Sequence, residues 1–473
     1  MADDDDENVI PIKPAPAYAL PDFVPTGETM CVEFERRYGE RLRHVAPWGK
    51  WFIWDQGVWA EDETLRVVDL AGLLARDIGG IAKKRRERMA IEASRTVSSL
   101  ERRARSAPAL AARVEAWDVD PLLLNGPRGT VDLATGHMRG HRREDYCTRA
   151  TAVSPTPAPP LRWLTFLQRV TGGNADLIGF LQRVCGYCLT GRTDEQCLFF
   201  VWGPGGNGKG TFVHTITNIL GGYARAAAIE TFVETRYERH PEELATLRGA
   251  RLVTASETEE GRAWNESRIK ALTGGDVVRA RFMRMDSFEY VPQFKLLIIG
   301  NKKPAFKSID RAVRRRLHLI PFTVEISDEE RDKLLDEHLR GEWPAILHWM
   351  VQGGLEWRTR GLAPPAVVAA STAEYLEAED AVGTWLEECC DRLRDSFTAS
   401  AALFAGWKAW AEARGERVGT IRTFVQNLQG RGFVLGRTDR ARGFRDLILT
   451  PEKKRPANDG DGGDGDPELW RNR

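Results

Sequence analysis

From about residue 161 to 350, short apolar β-rich runs alternate with stretches whose apolar residues recur at helical spacing. The runs are Leu198–Trp202 (LFFVW), Arg251–Ala255 (RLVTA) and Lys295–Gly300 (KLLIIG). After the first, Phe212, Val213, Ile216, Ile219 and Leu220 are spaced as one face of a helix. Runs apolar on both faces, separated by helices, predict a parallel α/β sheet with crossover connections. Residues 26–152 read as a mixed α/β accessory domain. There Trp51 to Trp54, the turn Asp55-Gln56-Gly57 and then Val58-Trp59 predict a hairpin. The stretch 82–105 predicts one helix rich in Lys and Arg, whose interleaved Glu87, Glu92 and Glu101 suit a solvated face as well as a nucleic-acid contact.

The segment VSPTPAPP at 153–160 continues neither a helix nor a central strand and reads as a linker between accessory domain and motor, the motor being residues 161–360. Beyond Pro364-Pro365, residues 361–384 read as a connecting helix, and 385–451 as a compact unit. In that unit Leu403, Phe404, Trp407 and Trp410 mark one helix that ends near Gly415. Thr420 is placed to cap a second helix ending at Gly430 to Gly432, and Phe433–Leu435 and Phe444–Leu449 predict two strands. Helix, helix, hairpin is the winged-helix pattern, which serves DNA in some proteins and protein contacts in others. The ends, 1–25 (acidic, then Pro-rich) and 452–473 (Gly- and Asp-rich), have the composition of disordered tails.

Composition adds limits. A chain of 473 residues holds about three domains. Lys plus Arg and Asp plus Glu balance at 68 each, so any DNA site must be a local basic surface. No apolar run approaches the ~20 residues that cross a bilayer. The start MADDDDENVI is acidic where a secretory signal is basic and then apolar, so a cytoplasmic location and no membrane partner are expected. Cys185 and Cys188 have CxxC spacing without a second pair, which reads as cysteines buried in a helix rather than a metal or redox site.

The chemistry concentrates after the first apolar strand, where Gly203-Pro204-Gly205-Gly206-Asn207-Gly208-Lys209-Gly210-Thr211 opens the helix. Strand, glycine-rich loop and helix in that order form a phosphate-binding loop: glycines let backbone N–H groups close around phosphate oxygens, and Lys209 reaches the β- and γ-phosphates of ATP. The usual Mg²⁺-binding hydroxyl directly after the Lys is replaced by Gly210, and Thr211 stands one residue later, rotated by about 100° around a helix. The second strand runs into Ser256-Glu257-Thr258-Glu259-Glu260. Carboxylates at the end of a parallel strand suit Mg²⁺ binding and polarisation of the attacking water. The third strand ends at Asn301, where an amide can orient that water, and the cluster Arg314-Arg315-Arg316 reads either as a surface patch or as the source of an arginine finger.

In order, GGNGKGTF (205–212), RLVTASETEEG (251–261), IKALTGGDVVRARFM (269–283), FKLLIIGNKKP (294–304) and DRAVRRRLHLIPF (310–322) resemble the poxvirus-type and satellite-phage-type primase–helicases, a superfamily 3 branch of the AAA+ class. NGPRGTVDLATGHMRGHRREDY (125–146) resembles the end of that family's accessory domain. The resemblance implies an AAA+ parallel-sheet motor in which Lys209 is the Walker A lysine, Glu257 leads the Walker B carboxylates with Glu259 second, and Asn301 is the sensor. It makes Arg315 and Arg316 the paired interface arginines, with Arg316 the preferred finger, and it leaves Thr211 and Glu257 as the Mg²⁺ candidates. It also implies a channel hairpin: Lys270, Arg279 and Arg281 fall in the matching block, and Arg284 at the turn would meet single-stranded or forked DNA. Members often carry a primase domain in front. Here Asp118 and Asp120 are the only aspartates that imitate its metal pair, and the chain before them is too short for that fold, so no primer synthesis is expected. The expected activity is ATP-dependent unwinding or translocation of DNA by a ring, a hexamer by resemblance, in replication of a phage, prophage or plasmid. A separate primase or initiator is a candidate partner. The alternative is an initiator or loader ATPase that does not unwind processively.

Overall fold

The computed structural model describes residues 24–234, 242–256, 263–283, 286–304, 306, 311–378, 380–416, 418–438 and 441–450. They fall into two compact units, one drawn from 1–304 with 316–369, the other from 305–315 with 370–473.

The first unit opens with α1 (Gly27–Tyr38), whose first turn is closed by a capping box between Thr26 and Thr29. An antiparallel sheet follows, β1 (Leu42–Val45), β2 (Lys50–Asp55) and β3 (Val58–Glu61). The hairpin expected at 51–59 is β2–β3, and its turn residues Gln56 and Gly57 both take positive φ, 46° and 90°. Next comes α2 (Arg66–Ile81), which buries Leu70, Leu74 and Ile78. The single basic helix expected over 82–105 is instead two, α3 (Arg85–Ile91) and α4 (Ser94–Ala104). The reason is geometric. Ile91 and Leu100 both enter the core beside α2, yet on one straight helix nine residues of separation would put them on opposite faces. Lys83 to Arg88 do form a solvated face, but Glu101 does not: it is buried and accepts from Trp51 Nε1 at 2.7 Å. A second antiparallel sheet, β4 (Leu123–Gly126), β5 (Gly129–Asp132) and β6 (His137–Arg139), completes the accessory region.

Residues 153–160 have no regular structure, yet they are not a loose tether. Ser154 is buried and its hydroxyl accepts from Arg128 N, while Thr156 N donates to Pro344 O. Two helices follow, α5 (Leu161–Val170) and α6 (Ala175–Leu189), and Cys185 and Cys188 are buried on the second, where burial raises both thiols. Then come β7 (Leu198–Trp202), α7 (Lys209–Leu220), β8 (Ala224–Ala226), α8 (Glu242–Thr246), β9 (Leu252–Ser256) and α9 (Glu266–Gly274). In chain order β10 (Val278–Ala280), β11 (Phe288–Tyr290), β12 (Lys295–Gly300), α10 (Arg311–Arg316), β13 (Leu317–Pro321), α11 (Leu335–Arg360) and α12 (Ala366–Ala378) follow, of which α10 up to Arg315 and α12 from residue 370 belong to the second unit. Five strands form one sheet in the order β13-β7-β12-β9-β8, every pair parallel. This is the α/β sheet that the apolar runs predict. Their side chains are buried on both faces, Phe199, Phe200, Leu297 and Ile298 among them.

The second unit contains α13 (Ala381–Cys389), β14 (Cys390–Asp391), β15 (Phe397–Ala399), α14 (Ser400–Ala413), α15 (Ile421–Gly430), β16 (Leu435–Arg437), β17 (Arg442–Arg445) and β18 (Ile448–Leu449). Trp385, Leu403, Trp407, Phe424, Leu428 and Phe444 make its core. Thr420 caps α15 with Thr423 in a capping box, as its position predicts. The strand expected over 444–449 is broken at Asp446, where φ is 55°, so β17 pairs with β15 and β16 while β18 pairs with β14. Here Asp380 accepts from Gly383 N at the start of α13 and forms ion pairs with Arg314 and Arg431.

No helix among the described residues is long and apolar enough to cross a membrane.

Candidate nucleotide site and DNA-facing elements

Strand β7 lies inside the sheet with β12 and β13 on either side, and the glycine-rich loop leaves its carboxyl end for α7. Gly206 and Gly208 take φ of 72° and 80°, a region open to glycine and strained for other residues. A Cβ on Gly208 would also stand 2.6 Å from Val170 Cγ1 and 2.9 Å from Phe166 Cε2, so the loop packs directly onto α5. Lys209 is buried, and its Nζ donates to Gly203 O at 2.7 Å, Pro204 O at 2.9 Å and Asn207 Oδ1 at 2.9 Å. Burial lowers its pKa. Asn207 is itself held, its Nδ2 donating to Phe322 O at 2.5 Å. Two backbone bonds fasten the same segment to the loop, Phe322 N to Trp202 O at 2.7 Å and Ile326 N to Gly206 O at 3.1 Å. The chain leaving β13 therefore straps the glycine-rich loop.

Loop, strap and α5 enclose a cavity of 890 Å³. Lys209, Thr211 and Asn301 line it, which brings three of the residues singled out from sequence to one space. The register explains Asn301: Ile299 on β12 is opposite both Val201 on β7 and Ser256 on β9, so the end of β12 stands level with the start of the loop. Trp202 Nε1 donates to Asn301 O at 3.1 Å, which fixes that turn. Gly210 is exposed with open space where a Cβ would be, while Thr211, one residue on, faces the cavity.

Sequence reasoning missed the other wall. Phe166 and Arg169 of α5, with Ile326, Arg331 and Lys333 of the strap, line the same cavity. Arg169 pairs with Glu330 at 2.6 Å. Arg331 Nη2 lies 3.3 Å from the point at which Gly206 would carry a Cβ, so a guanidinium overhangs the loop. No local pattern marks these residues, because they lie far from the loop in sequence and converge only through the sheet.

Strand β9 ends at Ser256; Glu257 and Glu259 lie outside the described residues. The expected hairpin is present, β10 pairing with β11 through Val278–Tyr290, Arg279–Glu289 and Ala280–Phe288. Arg279 and Arg281 are exposed, Arg279 donating to Ser287 Oγ at 2.9 Å, and Lys270 is half-buried on α9. Arg284 lies outside the described residues. The paired arginines part company. Arg315 is exposed, whereas Arg316 is buried and its Nε donates to Thr273 Oγ1 at 3.2 Å, so the residue preferred as a finger is engaged inside its own chain. Asp118 accepts from Thr148 N at 2.8 Å, tying together segments 30 residues apart, and Asp120 accepts from Leu122 N at 2.8 Å in a local turn.

Against known proteins, residues 33–172 match the family described as "D5 N terminal like". Residues 201–316 match a "Family of unknown function (DUF5906)". A protein of Acanthamoeba polyphaga mimivirus named "Putative helicase" is 27% identical over 222 residues, 42% of this chain and 23% of that one. One of Frog virus 3 with the same designation is 24% identical over 288 residues, 56% of this chain and 29% of its own. The chain is similar to D5-type viral helicases. It spans about a quarter of the length of these curated relatives. Among solved structures, the apo C-terminal region of NrS-1 aligns over 86% of this chain and 96% of that one, with 10% identity and a TM-score of 0.46.

Proposed function

We propose that this chain is an ATP-driven DNA helicase or translocase of the superfamily 3, AAA+ kind, working in replication of a phage, prophage or plasmid. The observation that carries the reading is the buried Lys209 ammonium, held in a glycine cradle at the head of α7 and opening on a cavity shared with Thr211 and Asn301. Backbone N–H groups of the loop and the positive end of α7 suit the phosphates of ATP, and Lys209 would neutralise charge that develops on the transferred phosphoryl group. Mg²⁺ would be held by Thr211, which lines the cavity, and by Glu257, and would supply further charge neutralisation. Glu259 is the second candidate for polarising water, and Asn301 orients it.

A ring, a hexamer by family likeness, would complete each site with an arginine from the next subunit. The exposed Arg315 is the better finger, since the guanidinium of Arg316 is buried. Lys270, Arg279, Arg281 and Arg284 would bring the β10–β11 hairpin against the phosphates of single-stranded or forked DNA, a contact that follows the backbone without reading bases. That focused charge reconciles DNA binding with a neutral chain. The second unit, with two helices and a hairpin closed by β15, supports the winged-helix reading, and Arg422, Arg437 and Arg442 lie exposed on it. A separate primase or initiator remains the proposed partner. The test is unwinding of forked DNA with ATP and with a non-hydrolysable analogue: strand separation only with ATP is expected, and ATP turnover without strand separation would favour the loader reading.

A further inference from the structure

The β10–β11 hairpin has only three residue pairs and forms a two-stranded sheet apart from the five-stranded one. A lone hairpin of that size is marginal in water, so its position depends on what it leans against. Its aromatic strand leans on α8 and the segment after it. Tyr290 OH donates to Leu244 O at 2.6 Å, and the Arg248 guanidinium lies 5.2 Å from the centroid of the Phe288 ring. The same guanidinium lies 4.8 Å from the centroid of the Trp48 ring of the accessory region. Trp48 packs in turn on Phe52 and Trp117, at 5.8 and 6.5 Å between centroids. The backbone is pinned from the same side, Arg149 Nη2 donating to Arg248 O at 2.6 Å and its Nη1 to Gly222 O at 2.9 Å.

We propose that Trp48 and Arg248 are positioning residues through which the accessory region holds the β10–β11 hairpin in register with the motor. The role of the hairpin in gripping DNA is taken from the function proposed above. A guanidinium within cation–π range of two rings ties them together, because the attraction is lost if either ring moves away. Through this contact the aromatic core of the accessory region reaches an element that does not belong to the motor sheet. The accessory region would thus set how firmly each subunit holds DNA between ATP turnovers, without touching nucleotide or DNA itself.

The test uses Trp48→Leu and Arg248→Met in the full chain, with hydrogen exchange of the amides at 286–291 as the direct readout. Exchange roughly tenfold faster than in the parent is expected for either variant, from loss of a cation–π contact. Should Trp48→Leu fail to fold, Arg248→Met decides. Parental exchange in the folded variants overturns the proposal. On forked DNA, base pairs opened per ATP should fall about tenfold in both variants, while turnover without DNA stays at the parental rate. Arg281→Ala separates the two readings. If it lowers DNA-stimulated turnover but Trp48→Leu does not, the positioning role is wrong. If exchange rises in Trp48→Leu yet Arg281→Ala leaves DNA stimulation intact, the link stands and the DNA role of the hairpin falls.

Discussion

The hydroxyl of Thr273 is fully engaged between α9 and Arg316: it donates to Ile269 O at 2.7 Å and accepts from Arg316 Nε at 3.2 Å. Both side chains are buried, so this bond fixes the end of α9, from which the chain turns through Gly275 (φ 84°) toward β10. Arg316→Ala should therefore destabilise the folded chain by about 1–3 kcal/mol, the cost of a buried polar group losing its partner. Thermal or urea unfolding reads this directly; parental stability would return Arg316 to the finger role.

Mixing variants assigns the finger. Arg315→Ala and Lys209→Ala subunits, each inactive alone, should regain hydrolysis when combined, because a mixed interface can pair an intact Lys209 with an intact Arg315. A finger is worth about 10³–10⁵ in rate, so even a minority of restored sites is measurable. Arg316→Ala in the same mixture should restore less. No recovery with either arginine would reject a shared site.

Lys209→Ala should remove most ATP turnover, since the lost cation stabilises transferring charge. Arg331→Ala should weaken binding of a fluorescent ATP analogue by roughly tenfold, the usual worth of one charge-assisted contact, if its guanidinium reaches the phosphates from above Gly206. Unchanged affinity would confine Arg331 to the cavity rim.

Two glycines of one loop should behave oppositely. Gly208→Ala places a Cβ against Val170 and Phe166 at φ 80°, and should cost about 1–3 kcal/mol of stability. Gly210→Ala, with open space and a helical backbone, should be neutral or stabilising by up to about 1 kcal/mol. Equal unfolding midpoints for the two variants would contradict this packing of the loop.

At the start of β12, Lys295 is buried, with Nζ donating to the carbonyls of Thr190, Arg192 and Gln293, and burial pushes its pKa down to about 7. An unfolded lysine titrates near ~10.4, so between those values the unfolded chain holds a proton that the folded chain has shed, and folding gains with rising pH. The stability of the parent relative to Lys295→Met should climb from pH 7 to 10, by on the order of 1 kcal/mol per pH unit. A pH-independent difference would mean that Lys295 stays charged in its carbonyl cage.

The residues of β7, the glycine loop and α7 determine that element by themselves. An apolar strand, glycines that permit positive φ and an apolar face at helical spacing are all local properties, and so are the Thr420 cap and the Gln56-Gly57 turn. The β10–β11 hairpin was legible for the same reason, since its pairing is between neighbours in sequence. What only the tertiary structure decided is whatever needs two distant segments in one place. Ile91 and Leu100 break a continuous basic stretch because both must enter one core. Arg331 and Phe166 become walls of the cavity beside the glycine-rich loop only because β13 and α5 flank β7 and its loop. Arg315 and Arg316 are adjacent and chemically alike, and no sequence pattern tells them apart; burial against Thr273 takes Arg316 inward while Arg315 is exposed.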